Sequence, residues 1–217
     1  MNFFVRSTFV SKYRISAGFV LSDEPVNQTL FSASKSNVLT NGDVFDGYVW
    51  VNTDLESGSL AEVDFGADYT FPISDDFAGG KLGGYVELAH WEYPDGRLGD
   101  NDKGLITKLN YSGPVDVCLK MTQLLTSGCG REFNLNICKP FTLYESDNGT
   151  TIALAPMVST SYLDNFFADG FSNVQYGTDL FVKNGNTSFD IFLRQQEGLQ
   201  DGFEDGIVVG AGFSYSF

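Results

Sequence analysis

The last residues of the chain, 207–217, alternate strictly between two kinds of side chain. Every odd position carries an apolar or aromatic group, and the even positions between them carry only Val, Gly or Ser. A period of two predicts a β-strand with one apolar face. Residues 61–71 repeat the pattern, with apolar groups on one face and Glu62, Asp64 and Asp68 on the other. The sequence therefore predicts an all-β protein.

Length and composition fit one domain that spans residues 1–217. No segment approaches the roughly 18 consecutive apolar residues that a membrane helix needs. Hydrophobic residues make up 42% of the chain and the mean hydropathy is -0.08. Such a near-neutral average is typical of a barrel wall, because alternate residues face lipid and lumen. The net charge of -15 excludes nucleic acid as a partner, since a phosphate backbone is bound by clustered Lys and Arg.

Turn signals divide the chain into twelve predicted strands. These lie near residues 7–21, 27–38, 44–52, 60–71, 80–93, 103–112, 115–126, 131–144, 150–162, 171–183, 187–196 and 207–217. Alternation alone also fits a soluble β-sandwich, but an even number of long strands favours a single antiparallel, up-and-down transmembrane β-barrel. Because alternation is weak in the second strand, ten strands is the alternative count.

The connections between these strands fall into two alternating classes. Residues 40–43, 112–114, 146–149 and 183–186 are short and rich in Asn, Asp, Gly, Ser and Pro, whereas 94–103, 163–170 and 197–206 are longer. Outer-membrane barrels have short periplasmic turns and long extracellular loops. We therefore expect a bacterial outer-membrane location with both termini periplasmic.

The chain end, Gly212-Phe213-Ser214-Tyr215-Ser216-Phe217, resembles the C-terminal signal of bacterial outer-membrane proteins. The resemblance implies a barrel assembly machinery that binds Phe213, Tyr215 and Phe217, and a surrounding of outer-membrane lipid and lipopolysaccharide.

The first half of the chain resembles the Gcw_chp-type family, whose members are predicted outer-membrane barrels of unknown function. The similar segments are 11–14 (SKYR), 47–52 (GYVWVN), 62–64 (EVD) with Gly66 and Tyr69, and 91–94 (WEYP). The family's usual Arg-Gly is replaced here by Arg14-Ile15-Ser16. This resemblance implies a fold and a location, and no catalytic residues.

The inward parity of the clearer strands assigns charges of both signs to the lumen. The candidate lumen-lining residues are Lys12, Arg14, Glu62, Asp64, Asp68, Lys108, Asp116, Lys120, Glu132, Asp179, Asp190 and Arg194. Two interpretations stay open, a water-filled channel with opposed charged walls or a lumen closed by salt bridges, because the width of a twelve-stranded barrel permits either.

The longer connections are acidic. The candidate residues of an outer rim are Asp95, Asp100, Asp102, Asp201, Glu204 and Asp205. Such a rim concentrates cations, or it is a solvated surface that keeps the loops soluble or is bridged to lipopolysaccharide by divalent cations. An EF-hand is excluded, because the twelfth residue counted from Asp100 is Tyr111 rather than Glu. No defined metal site and no cofactor is predicted.

Two of the three cysteines, Cys118 and Cys138, lie equally far from position 128. A hairpin that turned there would set them opposite each other. A disulfide between them and two unbonded small residues are equally weighted interpretations.

The expected function is a passive, porin-like channel for small solutes with a mild preference for cations. The alternative is a non-conducting structural or interaction barrel with acidic surface loops. A lipid-modifying enzyme is a third hypothesis, which depends on His90, because the only histidine is the only base available for a Ser–His dyad. We expect no enzyme activity, and the sequence leaves the oligomeric state open.

Overall fold

The computed structural model describes residues 1–94, 96, 100–126 and 128–217, which contain fifteen β-strands. The strands are β1 (Asn2–Val10), β2 (Tyr13–Arg14), β3 (Val20–Ser22), β4 (Val26–Ser36), β5 (Val44–Asp54), β6 (Leu60–Phe77), β7 (Gly80–Glu92), β8 (Asp102–Ser112), β9 (Asp116–Leu124), β10 (Arg131–Cys138), β11 (Phe141–Glu145), β12 (Thr150–Asp164), β13 (Gly170–Asn184), β14 (Thr187–Gly198) and β15 (Gly206–Ser216). The described part of the chain holds no helix that could span a membrane.

Twelve of these strands close into one antiparallel barrel. Their order around the ring is β10, β9, β8, β7, β6, β5, β4, β1, β15, β14, β13 and β12. Pairing of β12 with β10 closes the ring, since Cys138 lies opposite Met157 and Arg131 opposite Asp164. Closure leaves no long unpaired sheet edge. The predicted fold class, with twelve strands rather than ten, is confirmed.

Two predicted strands differ from the structure. The strand expected at residues 7–21 is β1 followed by a small separate hairpin of β2 and β3, which leaves the wall. The strand expected at residues 131–144 is interrupted between β10 and β11 at Lys139 and Pro140. Proline has no amide hydrogen to donate to a neighbouring strand, which accounts for an interruption there.

The apolar face of the barrel strands points outwards. In β15, Phe213 is 51% exposed while the neighbouring Ser214 is 7% exposed, and Leu88 in β7 is 61% exposed. A β-sandwich buries this apolar face between its sheets. A barrel that exposes it is suited to lipid, so the outward alternation excludes the soluble alternative.

Small residues on the inner face of β15 make room for charged side chains. A Cβ atom added at Gly212 would lie 2.8 Å from Oδ1 of Asp190 and 3.1 Å from Nη2 of Arg6. These two side chains form an ion pair of 2.9 Å inside the barrel. The alternation that predicts β15 as a strand therefore also reflects the packing of the lumen.

Both chain ends and the short turns lie at one end of the barrel, here called the terminal end. The longer connections lie at the opposite end, here called the loop end. This follows from the antiparallel register, in which Phe4 of β1 pairs with Ser216 of β15 and Val10 pairs with Gly210.

Candidate functional site

The connection between β1 and β4 folds into the barrel instead of extending away from it. Residues 11–25, here called the inward hairpin, include β2 and β3, and their turn contains Gly18 with a φ of 98°. A Cβ atom at Gly18 would lie 2.1 Å from Nδ2 of Asn173 on β13. The turn therefore fits against the wall only with glycine at this position.

The inward hairpin bonds to opposite walls of the barrel. Tyr13 donates a hydrogen bond of 2.8 Å from its hydroxyl to Oε2 of Glu62 on β6. The carbonyl oxygen of Ser16 accepts hydrogen bonds from Ser161 on β12 at 2.7 Å and from Asn173 on β13 at 3.2 Å. Because β6 and β13 are six strands apart in a ring of twelve, the hairpin crosses the lumen.

Ser16 also hydrogen-bonds to both members of an ion pair on β9 and β10. Nζ of Lys120 donates to the Ser16 hydroxyl at 2.5 Å, and that hydroxyl donates to Oε2 of Glu132 at 3.0 Å. Lys120 and Glu132 form an ion pair of 3.2 Å, and the Glu132 side chain is 4% exposed. Farther along, Gln196 donates to the carbonyl oxygen of Gly18 at 2.8 Å. Side chains on several strands thus hold the hairpin in place.

An apolar cluster, here called the loop-end cap, covers the hairpin. Its buried members are Ala17, Leu124, Leu163, Phe166 and Phe203. Ala17 comes from the inward hairpin, and the others come from ends of wall strands and from connections at the loop end. The main buried apolar cluster of the described residues is therefore a cap on the lumen.

Charged side chains in one half of the lumen are paired. Arg194 on β14 lies 2.8 Å from Asp179 on β13, in addition to the Arg6–Asp190 and Lys120–Glu132 pairs. These three pairs join strands β1, β9, β10, β13 and β14. The charges of these six wall side chains therefore cancel.

The opposite half is acidic. Five carboxylates on three neighbouring strands, here called the acidic wall, are Asp46 on β5, Glu62, Asp64 and Asp68 on β6, and Glu87 on β7. No ion pair among the described residues includes any of them. The hydroxyls of Tyr48 and Tyr85 donate to Glu87. Lys108 on β8 also lies in this half, with its Nζ 3.9 Å from the centre of the Tyr85 ring.

Tyr13 lies where three cavities of the lumen meet. The cavity along the acidic wall has a volume of about 410 Å³ and is lined by Asp46, Asp64, Asp68 and Glu87. A second cavity of about 300 Å³ is lined by cationic and amide side chains, and a third of about 430 Å³ lies below the loop-end cap. Tyr13 lines all three. The ring of Tyr13 packs 5.8 Å from that of Trp50, so this pair separates the acidic half from the other half.

The structure changes the placement of two predicted lumen residues. Lys12 and Arg14 lie on the inward hairpin and not on a wall strand. Lys12 pairs with Asp23, and Arg14 donates to the carbonyl oxygens of Glu204 at 2.7 Å and Asp205 at 3.3 Å. The strand prediction misplaced them because the alternation of β1 continues beyond its end.

The other predicted lumen residues lie on wall strands. Asp116 is at the terminal end, where it accepts hydrogen bonds from Ser112 and Gly113. Sequence reasoning missed three charged residues of the lumen, Arg6, Asp46 and Glu87. On β5 and β7 the inward positions also carry Tyr and Trp, so polarity does not distinguish the two faces. The register against β6 places Asp46 and Glu87 on the inner face, since Asp46 pairs with Asp68 and Asp68 pairs with Glu87.

The predicted acidic rim is found in part. Asp100, Asp201, Glu204 and Asp205 are exposed, and Asp95 lies outside the described residues. The prediction is wrong for Asp102, which is buried instead of exposed on a rim. It accepts hydrogen bonds from the Lys103 amide at 2.7 Å and from the Thr126 hydroxyl. Within the described ranges, no group of three or more His, Cys, Asp or Glu is arranged to hold a metal ion.

Of the two open interpretations of Cys118 and Cys138, a disulfide or two unbonded residues, the structure contains the second. Cys118 and Cys138 are both free. The register places Asn136 opposite Cys118 and Asp116 opposite Cys138. The two residues therefore occupy diagonal positions on neighbouring strands, with Cα atoms about 7–8 Å apart, which exceeds the usual Cα separation across a disulfide.

His90 points to the outside of the barrel. Its Nε2 lies 3.2 Å from Oε1 of Glu92, and its ring is 6.5 Å from that of Phe65 on the neighbouring strand. No hydroxyl of a described residue bonds to His90.

No protein-family model and no curated protein sequence matches the chain. The resemblance to the Gcw_chp-type family is therefore not confirmed. Solved structures do match. The chain is similar to the KdgM porin, with 10% identity over 100% of this chain and 99% of that one and a TM-score of 0.57. It is similar to the COG4313 outer membrane channel from Pseudomonas putida F1, with 12% identity over 100% and 95% of the two chains and a TM-score of 0.56.

The NanC porin is a third similar structure, with 9% identity over 99% of this chain and 98% of that one and a TM-score of 0.54. The chain has a porin-like β-barrel fold. At such low identity the likeness extends to the fold alone.

Proposed function

We propose that the chain is a narrow passive channel of a bacterial outer membrane, with a preference for small cations and with both termini periplasmic. The observation that carries the proposal is the unpaired acidic wall beside a neutralised opposite half of the lumen. The porin-like fold and the apolar barrel exterior support the location.

Charge distribution supports the preference for cations. Fixed carboxylates that line a narrow aqueous space lower the electrostatic energy of a cation and raise that of an anion. In the other half, Arg6, Lys120 and Arg194 are each held by a carboxylate, so they offer an anion little compensation. The inward hairpin provides the constriction that keeps permeating solutes close to the acidic wall.

Reversal potentials in planar bilayers test the selectivity. Wild-type protein under a KCl gradient should give small conductance steps with a reversal potential on the cation-selective side. The Asp46→Asn/Asp68→Asn variant should move the reversal potential towards zero, whereas Asp147→Asn in an exposed turn of the terminal end should leave it unchanged. Anion selectivity in the wild type would refute the proposed preference.

A second candidate function, a non-conducting barrel, is favoured by one observation. The hairpin bonds to opposite walls and lies beneath an apolar cap, an arrangement that also suits a permanently closed lumen. Replacement of residues 12–24 by a short Gly-Ser linker separates the two functions. Wild-type protein that is silent while the shortened variant conducts would establish the closed barrel and remove the channel.

The proposal includes the partners expected from the sequence. Phe213, Tyr215 and Phe217 would engage the barrel assembly machinery, and exposed acids such as Asp201 and Glu204 would bind divalent cations next to lipopolysaccharide. An epitope inserted at residues 199–205 should be stained on intact cells, and one inserted at residues 146–149 should be stained only after permeabilisation. The reverse pattern would overturn the orientation.

A further inference from the structure

Two carboxyl groups of the acidic wall are neighbours on one strand. Glu62 and Asp64 lie two residues apart on the inner face of β6, and both line the cavity below the loop-end cap. Two ionised carboxylates that share a site repel each other, so their proximity favours a proton or a cation between them. Among the described residues, neither carboxylate has a Lys or Arg partner in an ion pair.

The neighbouring strand adds a second, independent observation. Asn52 on β5 lies directly opposite Glu62 in the antiparallel register, and its side chain is fully buried. Neither Oδ1 nor Nδ2 of Asn52 has a hydrogen-bond partner among the described residues, and the buried Oδ1 of Asp64 also has none. Burial of an unpaired amide is unfavourable, and a bound ligand would offset that cost.

We propose that Glu62, Asp64 and Asn52 form a binding site for one hard divalent cation of the calcium class inside the lumen. Carboxylate and amide oxygens are ligands for such cations, and the two carboxylates balance a charge of two. With two carboxylates instead of three or more, the affinity is modest and water completes the coordination. Softer metals are disfavoured because the site offers no sulfur or imidazole.

The position of the site connects it with permeation. Asp64 lines both the cavity along the acidic wall and the cavity below the loop-end cap. Tyr13 closes the site on the lumen side through its bond to Glu62. The inference rests on the proposed function, since the site is where a permeating cation would bind beside the constriction.

Calcium binding to the refolded full-length barrel in detergent tests the inference. Equilibrium dialysis at constant ionic strength should show that Asp64→Asn binds one calcium ion fewer than the wild type. Asn52→Ala should bind that ion about tenfold more weakly or worse, since even indirect support of a metal is worth roughly that factor. Asp75→Asn, an exposed carboxylate near the terminal end, is the matched control and should keep wild-type binding.

The outcomes separate this site from the proposed channel. Each variant is compared only in the fraction that shows heat-dependent mobility in SDS gels, so that misfolded protein does not count as loss of binding. Equal stoichiometry in wild type and Asp64→Asn overturns the site. Binding needs no conductance, so a barrel that conducts without this ion refutes only the site. A silent barrel that binds it refutes only the channel.

Discussion

Tyr13 and Glu62 join the inward hairpin to the acidic wall through a hydrogen bond of 2.8 Å between the tyrosine hydroxyl and Oε2 of the carboxylate. This one contact thus ties the hairpin that narrows the lumen to a carboxylate of the acidic wall. In the proposed channel, a solute that passes Tyr13 would also pass the carboxylates of β6, so a change at this contact would alter both the width and the electrostatics of the lumen.

Tyr13→Phe should loosen the hairpin on this side while its ring still packs against Trp50. Loss of a hydrogen bond to a charged group costs about 1.5–3 kcal/mol, and we expect larger and noisier conductance steps. Tyr176→Phe is the matched control, because Tyr176 donates a similar bond of 2.9 Å to Glu197 but lies away from the hairpin. Identical recordings from both variants would show that the Tyr13 bond does not hold the constriction.

Gly18→Ala should displace the turn of the inward hairpin from the wall. The added Cβ would lie 2.1 Å from Nδ2 of Asn173, in addition to the strain of a φ of 98°. Gly58→Ala isolates the strain, since Gly58 has a φ of 70° but no atom within 4 Å of its added Cβ. Trypsin should cleave Gly18→Ala after Lys12 or Arg14 faster than the wild type. Equal cleavage rates in both glycine variants would contradict the close fit.

Asp43 in the turn between β4 and β5 should make the stability of the barrel depend on pH. Burial acts to raise its pKa, but the hydrogen bond from Tyr69 and those from the backbone amides of residues 38–40 together hold the pKa well below its ordinary value of 3.8. A lowered folded pKa means that this stabilisation is present above the unfolded value and is lost as pH falls towards the folded one.

The measurement is the urea midpoint of unfolding from lipid vesicles between about pH 3 and pH 7. Asp43→Asn should lower the midpoint at pH 7 and flatten its dependence on pH. Asp147→Asn, in another turn of the terminal end, should follow the wild-type curve. A wild-type midpoint that stays constant down to pH 3 would rule out this role of Asp43.

Wall strands and inward hairpin differ in how far local sequence determines them. The alternation around Phe213 and Ser214 or around Asp64 and Phe65 reflects lipid on one side and lumen on the other, so it is visible within a few residues. Lys12 and Arg14 continue the alternation of β1, and no local feature shows that the chain has left the wall. The hairpin is fixed by partners far away in sequence, such as Glu62 and Asn173. These contacts exist only after the ring has closed.

The register of β9 and β10 sets which residues lie opposite Cys118 and Cys138. A shift of the expected hairpin by two residues would be needed to set Cys118 opposite Cys138, whereas the structure sets Asn136 there. Oxidation of the folded Cys129→Ser protein, which lacks the exposed thiol that could join two molecules, should therefore leave two unbonded thiols and the same gel mobility with and without reductant. Asn136→Cys should cross-link to Cys118 under the same conditions, because opposite Cβ atoms on neighbouring strands are about 4.5–5.5 Å apart. Two results together would show that the register of β9 and β10 differs from the one described. These are cross-linking of Cys118 to Cys138 in the protein without the Asn136→Cys substitution, and an unbonded thiol at position 136 in the variant.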